Sequence, residues 1–144
     1  MKRFIQLICL LLVLSTILVI PATANSSTTW ESSYFASRLA YLYPTTGTQF
    51  QVWIEVDAIG TMEKLGASSI TVQRSSNDSD WTDMKTYTKE AYSNLVVEND
   101  FTHGTYVTYT GTSGYYYRAK VWFYAKKGNG EAEYSYTTDS IKLS

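Results

Sequence analysis

The chain has 144 residues, with 12 lysines and arginines against 13 aspartates and glutamates, a single histidine and a single cysteine. That length holds one domain with a sizeable core and is short for two. The near-balanced charge excludes polyanion binding as a principal task, because nucleic-acid affinity rests on clustered lysine and arginine.

Lys2 and Arg3 precede an apolar run over residues 4–20, and Pro21-Ala22-Thr23-Ala24 follows. A charged start, an apolar middle and a small-x-small site predict a secretory signal peptide over residues 1–24, cleaved after Ala24. The run is long for a signal, so a retained membrane anchor is the competing reading. Cys9 lies inside the run with leucines after it, which is not the setting of a lipoprotein cysteine. Cleavage leaves 120 residues with 10 basic and 13 acidic side chains, a formal charge of −3, and no cysteine. The mature chain is therefore expected to be secreted, extracellular, stabilised by its core without disulfides, and free of membrane or nucleic-acid partners.

Residues 25–33 are rich in serine and threonine and read as a flexible lead-in, with Trp30 available to pack on the domain. Residues 34–144 read as a single β domain. A first strand is expected over residues 34–43, ended by Pro44, which cannot donate to a ladder. Residues 49–58 alternate most clearly, with Phe50, Val52, Ile54, Val56 and Ala58 on one face and Gln49, Gln51, Trp53, Glu55 and Asp57 on the other. Residues 60–66, bounded by Gly60 and Gly66, read as a loop or single turn closing one end of the fold. Residues 68–74, with Ile70, Thr71 and Val72, form the next strand.

Residues 75–80 are almost all turn formers, and a short strand runs from Trp81 to about Thr88. Residues 89–100 carry one apolar run, Leu95-Val96-Val97, and fix no element. Residues 105–110 alternate again, and Gly111-Thr112-Ser113-Gly114 makes a corner. A hairpin then closes the chain: residues 115–125, a tip over 126–130, and a return through Tyr134 and Tyr136. Tyr115, Tyr117, Ala119, Val121, Phe123 and Ala125 suit a core, and Tyr116, Arg118, Lys120, Trp122 and Tyr124 suit a wetted face. Strands about every ten residues with no helical period predict an all-β fold, an antiparallel sandwich of about seven strands.

Catalysis needs groups that move protons or electron pairs, and few are present. His103 stands alone, Ser113 lies in a corner without the strand-turn-helix setting of a nucleophile elbow, and the pairs Glu55 with Asp57 and Glu131 with Glu133 are same-face strand neighbours. A small hydrolase built on such carboxylates is the weakest alternative, and the expectation is no enzyme, no cofactor and no catalytic residue. Asn77, Asp78, Asp80 and Asp83 cluster oxygen ligands, but Lys89 stands where a calcium loop counted from Asp78 places its bidentate glutamate, so no metal is expected. The sequons at Asn25 and Asn77 matter only in a eukaryotic secretory pathway. Lys126 and Lys127 on the hairpin tip offer charge to acidic wall polymers, or simply solubility.

Aromatic content is the anomaly: four tryptophans and thirteen tyrosines, all after residue 24. Such rings bind sugar faces or peptide strands, and they also stabilise sheets through cross-strand pairs. The expected ligand surface is the outward row Tyr116, Arg118, Trp122 and Tyr124 beside the hairpin tip. The partner expected there is a protein or glycan of the cell envelope. Carbohydrate binding and membrane activity through amphipathic strands are the alternatives from other classes.

The run Gln73 to Trp81, with Lys85 and Tyr87 beyond it, resembles the strand, turn and tryptophan of fibronectin type III-like and bacterial Ig-like domains. Ser113-Gly114-Tyr115-Tyr116-Tyr117-Arg118-Ala119 and its hairpin resemble their last two strands. The whole order is also similar to small exported proteins of Gram-positive bacteria. This resemblance implies that the rows bearing Trp53 and Trp122 lie on different sheets, and that one of Tyr115 to Tyr117 is a corner tyrosine whose hydroxyl caps nearby backbone. Both cysteines of immunoglobulin domains are lacking, and the resemblance supplies no active site.

Overall fold

The computed structural model describes residues 34–144. The signal peptide over 1–24, Cys9, the lead-in over 25–33 and Trp30 lie outside the described residues. Seven antiparallel strands make the fold: β1 (Phe35–Pro44), β2 (Gln49–Ser75), β3 (Thr82–Thr88), β4 (Val96–Thr110), β5 (Tyr116–Lys127), β6 (Gly130–Thr137) and β7 (Ile141–Lys142), with a short 3-10 turn at Ser93–Leu95. All seven belong to one hydrogen-bonded sheet.

The sheet is built around β2. Along one edge β2 pairs first with β1, from Phe50 opposite Pro44 to Ala58 opposite Phe35, and then with β5, from Lys64 opposite Lys126 to Ser75 opposite Tyr116. Along its other edge it pairs with β4 as far as Gly66 and with β3 from Ser69. The loop expected over residues 60–66 is therefore a correction: those residues are strand. The reason lies in the phase of burial. Met62 continues the even-numbered inward set, Leu65 and Ala67 are inward on odd numbers, and Ile70 and Val72 return to even. Register shifts between Asp57 and Met62 and between Ala67 and Ser69 accompany these switches, as bulges do when they bend and twist a strand.

Bending brings the two halves of β2 face to face. The Phe50 ring, near the start of β2, lies 5.3 Å from the Tyr117 ring on β5, which pairs with Arg74 near the end of β2. Tyr87 of β3 likewise donates its hydroxyl to the carbonyl of Thr108 on β4, at 2.7 Å. The sheet is thus curled into a half-barrel around its own concave face. Phe50, Val52, Ile54, Val56, Val121 and Phe123 are all buried there, as their alternation predicts. Each such side chain contributes roughly 1.5–3 kcal/mol of burial free energy. Two separate sheets are not what the ladder shows: β2 belongs to both halves, and Trp53 and Trp122 stand on one continuous sheet, on different halves of it.

The ends of the hairpin fall close to expectation. Lys127 pairs with Gly130, so the loop is Gly128-Asn129, with Gly128 at φ +58°. At the corner before β5, the amide of Thr112 donates to the Tyr117 hydroxyl at 2.8 Å. Of the three neighbouring tyrosines, Tyr117 is the one whose hydroxyl caps the corner backbone.

Candidate functional site

The expected row on β5 is only partly open. Trp122 is 37% exposed, and Tyr116 and Arg118 are half-buried. Tyr124 is a correction: it is 4% exposed and not part of an open surface. The Lys89 ammonium lies 3.6 Å above its ring, and its hydroxyl donates to Glu131 at 3.0 Å. Desolvation, reinforced by Glu131, pushes the phenol pKa up to about 12. Arg118 donates from Nε to Gln73 at 2.8 Å and lays its guanidinium 4.2 Å from the Trp81 ring. Lys120 stands 5.7 Å from the Trp122 ring and Lys142 stands 5.1 Å from that of Tyr116. Every ring of this row therefore has a cation over it.

That arrangement is general among the described residues. Of the ten lysines and arginines in residues 34–144, Arg38, Arg74, Lys85, Lys89, Arg118, Lys120 and Lys142 all lie over aromatic rings. Lys64 and Lys126 pair with Glu98 at 3.8 Å and Glu131 at 3.9 Å. A ring quadrupole attracts a cation by roughly 0.5–1 kcal/mol at exposed sites, so these contacts hold side chains against the sheet. They also cover ring surface that a ligand would need.

The outer face of β1, the first half of β2 and β4 differs. Registers place Tyr41 opposite Trp53, and Trp53 opposite Tyr106, so three rings from three strands form one row across the sheet. The Tyr41 and Trp53 rings are parallel within 6° at a centroid separation of 6.5 Å, and Trp53 and Tyr106 are 4.6 Å apart. Tyr106 is 41% exposed, and Tyr41 and Trp53 are half-buried by one another. Their polar rims are already satisfied: the Tyr41 hydroxyl donates to Glu55 at 3.1 Å, and Trp53 Nε1 donates to Gln51 at 2.8 Å. Desolvation first, and then Glu55, raises the Tyr41 pKa.

Two mixed rows flank the rings, each starting on β1 with an exposed apolar side chain: Tyr43 opposite Gln51, and Leu39 opposite Glu55. On one side Gln51 lies between Tyr43 and Thr108. On the other, beyond Glu55, Asp57 accepts hydrogen bonds from Ser37 and Thr102, each at 2.7 Å, and the Ser37 and then the Thr102 bond hold its carboxyl below the usual carboxylate range. No lysine, arginine or histidine occupies an outward position on these three strand segments. The result is an aromatic line, broadened on β1 by Leu39 and Tyr43, with Gln51, Glu55 and Thr108 as its hydrogen-bonding neighbours. Trp53 stood out in the sequence as an outward residue, whereas Tyr41 and Tyr106 became part of the surface only through register.

Groups suited to catalysis are dispersed. His103 Nε2 contacts the carbonyl oxygen of Asn94 at 2.9 Å, and among the described residues no carboxylate is hydrogen-bonded to its ring. Asn77 Oδ1 accepts from the amides of Ser79 and Asp80 and from Ser75 Oγ, and its amide donates to Asp80. Asp78, at φ 59°, accepts from Ser140. The oxygen ligands of that segment thus build the turn itself, and among the described residues no three His, Cys, Asp or Glu side chains are placed to hold a metal ion. Comparison with protein families, with curated proteins and with solved structures finds no match to this chain.

Proposed function

We propose that the protein is an exported, non-catalytic extracellular module that binds a protein or glycan of the cell envelope through the outer face of β1, β2 and β4. The observation that carries this reading is the continuous row Tyr41, Trp53 and Tyr106, which has no cation over it, whereas the β5 rings of Tyr116, Trp122 and Tyr124 each have one. Contiguous exposed aromatics are what a binding surface needs, since flat apolar faces supply contact and neighbouring amides and hydroxyls fix orientation. The inward packing of Val121 and Phe123 weighs against the membrane-active alternative, because β5 then has no apolar face to offer lipid. The dispersed His103, Glu55 and Asp57 weigh against the hydrolase.

The finer fold reading, a fibronectin III- or Ig-like sandwich, draws support from the Tyr117 corner and from the facing halves of β2. Secretion draws its support from residues 1–24 alone. The test is retention of the secreted protein on envelope fractions of the producing cells, with Trp53→Ala and Trp122→Ala compared after both are shown to be folded. Loss of retention by Trp53→Ala alone is expected. Loss by Trp122→Ala alone would return the site to β5, and no retention of the wild type would end the binding reading. N-terminal sequencing of protein from the medium is expected to begin at Asn25.

A further inference from the structure

Resting on the binding face just described, we propose that its ligand is a neutral glycan chain lying across the strands, along the line Tyr41–Trp53–Tyr106. Three features point to this class of ligand.

The first is shape. The rings follow one another from strand to strand, and adjacent strands are about 4.8 Å apart. Their centroids are 6.5 and 4.6 Å apart, which gives a line of flat rings about two to three sugar units long, broadened on β1 by the exposed Leu39 and Tyr43. A glycan in extended form presents that outline, with apolar C–H faces in the middle and hydroxyls along both edges. A protein partner would call for an apolar core with its polar groups gathered at the rim, whereas here Gln51 stands beside Tyr43 and Glu55 beside Leu39, among the apolar side chains.

The second is the position of hydrogen-bonding groups. Gln51 and Thr108 flank one side of the line and Glu55 flanks the other. Opposite Glu55 on β4 stands Gly104, where an added Cβ would find its nearest side-chain neighbour, Glu55 Cγ, only at 4.0 Å. The absence of a side chain there leaves a notch beside Glu55 and next to Tyr106, open to a sugar substituent.

The third is charge. On the outward positions of β1, of residues 49–58 of β2 and of residues 102–110 of β4, Glu55 and Asp57 are the only charged side chains, and both are acidic. Asp57 is further held in its ionised form by Ser37 and Thr102. A phosphate- or carboxylate-bearing wall polymer would meet repulsion with no compensating cation, so like charge selects against anionic chains. A neutral chain meets only acceptors for its hydroxyl hydrogens.

The experiment measures binding of the secreted protein to soluble neutral glycans (β-glucan, mannan and xylan oligosaccharides) and to two anionic ones (polygalacturonate and wall teichoic acid), by calorimetry and by the shift of tryptophan fluorescence. Binding to at least one neutral chain is expected, insensitive to added salt because no ion pair is formed. Trp53→Ala should weaken it by roughly tenfold or more, and Trp122→Ala should leave it unchanged. If Trp53→Ala does not fold, Tyr106→Ser, at the most exposed of the three rings, takes its place. Preference for the anionic chains, weakening with salt, or binding that survives both substitutions would overturn the inference. So would no binding to any neutral chain. In that last case, retention on envelope fractions that still depends on Trp53 would mean a protein ligand on the same face, and the functional reading would stand without the glycan.

Discussion

Replacing Gly66 by alanine tests the bent continuous strand directly. Gly66 lies where β2 exchanges partners, paired with Val96 on β4 and with Tyr124 on β5, and its φ is +153°. A Cβ there would fall on the carbonyl oxygen of Leu95 and 2.9 Å from both the Leu95 carbonyl carbon and the Val96 Cα. These are backbone atoms of a turn anchored by the fully buried Leu95 side chain, so no side-chain rotation relieves the contact. Since carbon atoms rest about 3.5–4.0 Å apart, the turn or the strand must move by more than about half an ångström. Overpacking of this kind costs roughly 1–3 kcal/mol, and the glycine-favouring φ adds about 1–3 kcal/mol for an L-residue. The sum, about 2–6 kcal/mol, is a large share of a domain's net 5–15 kcal/mol. Gly60 supplies the control in the same strand, because nothing lies within 4 Å of its Cβ position and its φ is unremarkable. Urea unfolding followed by tryptophan fluorescence should show a greatly lowered midpoint for Gly66→Ala and a change within about 0.5 kcal/mol for Gly60→Ala. Equal midpoints for Gly66→Ala and wild type, or greater damage from Gly60→Ala, would refute the bend as drawn.

Tyr117→Phe keeps the ring against Phe50 and removes only the hydroxyl that caps Thr112, so a loss of about 1 kcal/mol is expected, approaching 3 if water cannot reach the freed amide. Tyr115→Phe and Tyr116→Phe should stay within about 0.5 kcal/mol, and a larger loss in either by the same denaturation assay would misplace the corner. The Tyr124 phenol, with its pKa pushed up to about 12, binds its proton more tightly in the folded chain than in the unfolded one, where it titrates near 10. Its contribution is therefore complete below pH ~10 and is lost as pH rises from there through about 12. An alkaline absorbance titration of wild type minus Tyr124→Phe should isolate this late phenol, and a difference centred near 10 would contradict its burial under Lys89.

Much of the fold is legible in the sequence because alternation is a local signal. Phe50 to Ala58 and Tyr117 to Ala125 each keep one phase over many residues, and the structure buries those sets. Residues 60–66 mislead for a physical reason. The inward set moves from Met62 to Leu65, an odd step, and a reader of period two sees a break where the strand only bulges. The glycines at both ends strengthen that impression, although Gly60 has no special conformation and Gly66 marks the close approach of Leu95. Whether strands join into one sheet or two depends on pairings between residues far apart in the chain, such as Ser75 with Tyr116, and no local pattern encodes them. The corner tyrosine shows the same limit at small scale: parity leaves Tyr115 and Tyr117, and only the reach of the hydroxyl to Thr112 separates them.

The site illustrates a stronger limit, because openness is decided by what covers a residue and not by which way it points. Tyr124 and Trp122 have the same parity on β5, yet one is buried and the other is 37% exposed. The difference comes from Lys89, in the turn after β3, and from Glu131 on β6, neither of which is near Tyr124 in a strand pattern. On the other half of the sheet the reasoning runs in the opposite direction. Tyr41, Trp53 and Tyr106 are ordinary members of three separate alternating runs, and their union follows from two registers that pair position 53 with 41 on one side and with 106 on the other. A shift of one residue in either register would send a ring to the opposite face of its strand and break the row. The placement of cations then separates the two surfaces: the rings of Tyr87, Tyr116, Trp122, Tyr124 and Tyr134 on β3, β5 and β6 each have a cation over them, and the row Tyr41, Trp53 and Tyr106 has none. A ring with a cation above it is occupied by its own protein, and a ring flanked only by amides, hydroxyls and carboxylates remains available to another molecule.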